Sequence, residues 1–109
     1  MTTHVLDAVA GRPAEGVPVA LERRDAEGAW IPVATGTTDA DGRVARLGPD
    51  DVPAGRWRIA FDTGAWSAAR GRATFYPEVV IVFEVEDRSA HHHVPLLLSP
   101  FGYSTYRGS

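Results

Sequence analysis

Short apolar runs, each cut off by Gly, Pro or Asp, recur along the 109 residues. Most alternate with a period of two, which is the signature of strands half-buried on a core. "THVLDAV" covers Thr3 to Val9 and ends at Gly11 and Pro13. In "GVPVALERR", Val17, Val19 and Leu21 fall on one face. "WIPVATGTT" carries Pro32, which predicts an edge strand or a bulge because proline cannot donate to a ladder. Asp41-Gly42 in "DADGR" predicts a hairpin, since both residues tolerate positive φ. "RVARL" and "RWRIAFD" read as the next strands. "EVVIVFEVED" sets Val80, Val82 and Glu84 on one face and Val79, Ile81, Phe83 and Val85 on the other. Both faces are largely apolar, which predicts a strand covered on two sides. "HHHVPLLLS" and "GYSTYRG" complete the series, and "TGAWSAARGRATFYP" interrupts it with a predicted helix from about Ala65 to Arg70. About eight short strands and one helix predict an all-β fold, an antiparallel β-sandwich. No repeat, linker or low-complexity segment divides the chain, so a single domain over residues 1–109 is expected.

Composition narrows the partners. The net charge is −3 with no basic run, so the electrostatic footprint of a nucleic-acid binder is missing. The absence of cysteine rules out disulfides and zinc–thiolate sites. No apolar stretch approaches the ~20 residues of a membrane span. "MTTHVLDAVAG" lacks the basic and apolar regions of a signal peptide, which predicts a cytoplasmic protein. Leu96, Leu97 and Leu98 put apolar side chains on both faces of one strand. One face meets the core; cover for the other predicts a partner subunit.

Three adjacent histidines invite a metal reading that strand geometry weakens. His91 and His93 share a side while His92 points away, so at most two could hold one ion. No carboxylate at ligand spacing completes a set, and no metal or other cofactor is expected. His4 lies in the first strand. Should the first and penultimate strands be neighbours, His4 and His93 meet, and two imidazoles of pKa near ~6.5 suit acid–base hydrolysis. Arg43 follows the Asp41-Gly42 turn, either as a solvated cation or as a planar fork for an anionic or carbonyl-rich substrate. No nucleophile elbow or phosphate-binding glycine loop appears, which argues against a covalent mechanism.

Taken together, "THVLD", "GRPAEGVPVAL", "TDADGR", "FYPEV" and "HHHVPLLLSPFGYSTYRGS" resemble the 5-hydroxyisourate hydrolase family, the transthyretin-related enzymes of urate breakdown. The resemblance covers essentially the whole chain, and the closing "YRGS" is its most specific part. It implies a transthyretin-like sandwich of two four-stranded sheets and a homotetramer, a dimer of dimers with sites in the channel between them. It implies metal-independent hydrolysis of 5-hydroxyisourate to 2-oxo-4-hydroxy-4-carboxy-5-ureidoimidazoline on the route from urate to allantoin. By the same resemblance His4, Arg43 and His93 are catalytic, and His4, Arg43, Tyr106, Arg107, Gly108 and Ser109 contact substrate. His92 stands where the family usually has tyrosine; its opposite orientation predicts an effect on packing rather than chemistry. The rival readings are a hormone carrier, whose channel needs apolar walls that these polar residues do not supply, and a structural sandwich module.

Overall fold

The structure is a computed structural model and describes residues 1–88 and 90–109. These residues form β1 (Thr2–Asp7), β2 (Arg12–Pro13), β3 (Pro18–Arg24), β4 (Trp30–Thr37), β5 (Arg43–Val44), β6 (Gly55–Phe61), α1 (Thr63–Ala69), β7 (Val79–Val85), β8 (His93–Ser99) and β9 (Gly102–Thr105). One sheet runs β2-β1-β8-β9, with β5 also on β1; the other runs β4-β3-β6-β7. The expected sandwich is present. Its first sheet has five segments rather than four, because β2 and β5 divide one edge of β1 between them. Every pairing is antiparallel except β1 with β8, which is parallel.

Alternation decides which side chains form the core. Val5, Val19, Leu21, Trp57, Ile59, Phe61, Leu96 and Leu98 are buried, each on the inward face of its strand. A fully buried side chain of this size contributes about 1.5–3 kcal/mol. Asp7 closes the end of β1: its carboxylate accepts N–H bonds from Val9 and Ala10 and pairs with Arg72 at 2.7 Å. Burial raises the Asp7 pKa, but the Ala10 and Arg72 bonds outweigh it and leave the carboxyl below its ordinary value. The helix begins two residues earlier than expected because Asp62 caps it, accepting from the Ala65 N–H. It turns Thr63, Trp66 and Ser67 inward.

Two expectations are corrected. The Asp41-Gly42 turn does not make a hairpin: β4 belongs to one sheet and β5 to the other, so the turn carries the chain across the sandwich. Asp39 organises it, accepting from the N–H groups of Asp41 and Arg43. Gly42 has φ +75°, and a Cβ there would lie 2.4 Å from the Val5 carbonyl oxygen, so only glycine fits. The second correction concerns β7. It is an edge strand with one open face, where Val80 and Val82 are exposed at 37% and 53%. Its apolar composition was compatible with cover on both sides but could not name a neighbour.

Pro32 sits where both of its predicted contexts apply. β4 is an edge strand, and the β3–β4 register shifts between Leu21 and Glu22. The leucine run divides as alternation requires: Leu96 and Leu98 enter the core, while Leu97 stays half-buried on the outer face beside Leu6.

Candidate active site

Register brings the polar residues together. In the parallel β1–β8 pair Thr2 faces His93 and His4 faces Pro95. On the other edge of β1, His4 faces Arg43 of β5. Register partners project from the same side of a sheet, and alternate residues do too. Thr2, His4, Arg43 and His93 therefore share the outer face of one sheet. The turn at Gly42 sets Arg43 there, because Val5 N–H donates to the Gly42 carbonyl and locks the loop onto β1.

The last residues return to the same place. β9 pairs Leu96 with Thr105, and after two unpaired residues the ladder resumes at His93 with Gly108. The Gly108 N–H donates to the His93 carbonyl at 2.9 Å. A Cβ on Gly108 would come within 2.3 Å of His93 Cδ2, so the backbone passes directly against the imidazole ring. Because that approach leaves no room for a side chain, Gly108 fixes one wall of the ring's cage. Alternation then sends Tyr106 and Gly108 to the outer face and Arg107 toward the gap between the sheets.

A groove of about 420 Å³ follows from this arrangement, lined by Thr2, Arg43, His91, His93, Tyr106, Gly108 and Ser109. His4 lies next to it through its pairing with Arg43. Burial first, then the charges of Arg43, His4 and His91, hold the His93 pKa below the ordinary imidazole value. His93 is therefore neutral at pH 7, with a lone pair able to take a proton. Among the described residues, no carboxylate forms an ion pair with Arg43. Its guanidinium is thus available to an incoming oxygen. No three His, Asp or Glu side chains among the described residues gather as a metal set. The arrangement offers a neutral base, a second imidazole and an uncommitted cation, which suits attack of water on a carbonyl.

Arg107 lies apart from this groove. It lines a smaller crevice of about 240 Å³ between the edge strands β7 and β9, with His92, Ile81, Phe83 and Val94. His92 is buried there, and burial followed by the Arg107 charge keeps its pKa low. It points away from His93 and takes part in packing. Thr2 and His91 also line the groove, without a role assigned to them from sequence. Thr2 is two positions before His4, so alternation already placed it on the same face. Alternation sets His91 on the His93 side, and the fold stacks the two rings with centroids 6.5 Å apart.

The family model described as HIUase/Transthyretin family matches residues 1–108. A 5-hydroxyisourate hydrolase of Salmonella dublin is 44% identical over 110 residues, covering 100% of this chain and 80% of that protein. The solved 5-hydroxyisourate hydrolase of Klebsiella pneumoniae superposes with TM-score 0.85 at 44% identity, covering 99% of this chain and 97% of the other. Sea bream transthyretin, solved in complex with thyroxine, superposes with TM-score 0.93 at 37% identity, covering 98% and 92%.

Proposed function

The chain belongs to the HIUase/transthyretin family, and on that premise we propose that it is an enzyme that hydrolyses 5-hydroxyisourate. The observation that carries this reading is the meeting of His4, Arg43 and His93 on one sheet face, walled by Gly108. Residues 1–109 act as one hydrolase domain. The imidazole pair takes a proton from water as the water oxygen bonds to a ring carbonyl carbon. Arg43 stabilises the negative charge that develops on the carbonyl oxygen. Collapse of that adduct breaks the ring C–N bond, and the departing nitrogen receives the proton from the imidazole. Opening the six-membered ring in this way gives 2-oxo-4-hydroxy-4-carboxy-5-ureidoimidazoline, a step of urate degradation. Positioned proton transfer contributes roughly 10²–10⁴-fold, and one well-placed oxyanion donor about 3 kcal/mol.

Tyr106 offers a ring and hydroxyl to the flat substrate, and Ser109 a further polar contact. Arg107 supports the same chain end from the neighbouring crevice. The groove is open in one copy, and Tyr106 is 58% exposed. Open water weakens every electrostatic contact the mechanism needs. A homotetramer in the cytoplasm, a dimer of dimers that covers this face, completes the reading. The likeness to transthyretin raises a carrier role. The charged and imidazole side chains of the groove disfavour it, since an apolar hormone would leave them unpaired. The test is direct: 5-hydroxyisourate generated by urate oxidase should decay faster when catalytic amounts of the protein are added. Decay at the buffer rate would refute the assignment.

A further inference from the structure

Thr2 belongs to none of the motifs that mark the site, yet its hydroxyl contacts two of the groove's imidazole rings. Thr2 Oγ1 lies 2.7 Å from His93 Nδ1 and 3.2 Å from His91 Nε2. This bridge follows from the parallel register that sets Thr2 beside His93. A hydroxyl has one proton and two lone pairs, so it can accept from one ring and donate to the other. The Thr2 backbone carbonyl also favours a proton on the His93 ring, and a carbonyl can only accept. On the groove side, Arg43 presents positive charge to the same ring. A bare nitrogen suits that side and an N–H suits the Thr2 side.

We propose that Thr2 is a positioning residue: it holds the His93 proton on Nδ1, passes its own hydroxyl proton toward His91, and leaves Nε2 bare for the reaction. Histidine free in water prefers the opposite tautomer, with its proton on Nε2. An oriented neighbour must therefore fix the reactive form, as a hydrogen-bonded partner does for other catalytic imidazoles. The inference rests on the hydrolase reading for its kinetic part, but the tautomer itself can be observed without turnover.

The experiment joins long-range ¹H–¹⁵N spectra of the His93 ring to steady-state kinetics, in the full chain and in Thr2→Val and Thr2→Ser. The wild type should carry its His93 proton on Nδ1. Thr2→Val should move the proton to Nε2 and lower kcat by about 10²-fold with KM within about twofold, and Thr2→Ser should restore both. A wild-type His93 protonated on Nε2 overturns the proposal, as does a folded Thr2→Val with unchanged tautomer and kcat. Should Thr2→Val fail to fold, the wild-type and Thr2→Ser spectra decide. A wild type that shows the Nδ1 tautomer but no turnover of 5-hydroxyisourate supports the role of Thr2 and refutes the hydrolase reading alone.

Discussion

The outer faces of the two sheets both carry arginine, and they treat it differently. On the β4-β3-β6-β7 sheet two cations are paired with carboxylates: Arg58 pairs with Glu22 at 3.0 Å and stacks over Trp30 at 4.4 Å, and Arg56 pairs with Glu84 at 2.7 Å. On the opposite sheet Arg43 sits among imidazoles with no carboxylate paired to it among the described residues. On the first face these two cations are balanced by neighbouring carboxylates. The second sets a cation beside imidazole rings, and on the proposed reading an oxygen-rich substrate would pair with it. The difference separates charge paired within a surface from charge that, on the proposed reading, is held for a ligand.

Substitutions can break or sharpen that contrast. Arg43→Ala should lower kcat/KM for 5-hydroxyisourate by about 10²–10³-fold with little change in melting temperature. Retained turnover would show that the unpaired cation is ornamental. Next comes Gly108→Ala, whose Cβ collides with the His93 ring. A displacement of even ~1 Å at a reacting group can cost about 10²-fold, and kcat should fall toward that limit; an unaffected rate would mean that the ring has room to move.

The pH response is smaller and distinguishes the faces without mutation. His93 has a folded pKa below its ordinary value, so the basic form persists at neutral pH. Activity should hold to a lower pH than an unshifted imidazole would allow, then fall about tenfold per unit once pH drops below the His93 pKa. A decline already complete at pH 7 would contradict the assignment. Stability follows the same sign. Because His92 and His93 are depressed in the folded state, the unfolded chain binds more protons between the two pKa values. Their contribution is present above about pH 6.5 and is lost as pH falls through the folded pKa. Smallest of all is Arg58→Ala, which should cost about 1 kcal/mol in urea unfolding and leave turnover intact. A large loss of activity there would erase the distinction between the faces.

Much of the architecture was legible because strand alternation is a local property. Val17, Val19 and Leu21 announce their common face, and Leu96 and Leu98 theirs. What local pattern cannot state is which strand lies alongside. Val80 and Val82 look like core residues until β7 is seen at a sheet edge, and Asp41-Gly42 looks like a hairpin until β5 joins the other sheet. At the site, the facing of His91, His92 and His93 was readable from period two. The 2.7 Å bridge from Thr2 was not, since residues 91 positions apart acquire a register only in the fold. Gly108 was marked by resemblance, while its reason, the imidazole pressed against its Cα, is purely geometric.

The parallel pairing of β1 with β8 carries a kinetic consequence. The β3–β4 and β6–β7 pairs join consecutive strands, whereas Thr2 finds His93 across 91 positions of chain. Closing so long a loop costs entropy before any contact repays it, and pairings of this span form slowly. The β1–β8 pair should thus be the last to gain protection in pulse-labelled refolding, and the His4–Arg43 pair, which needs only β1 and β5, can form before His93 joins it.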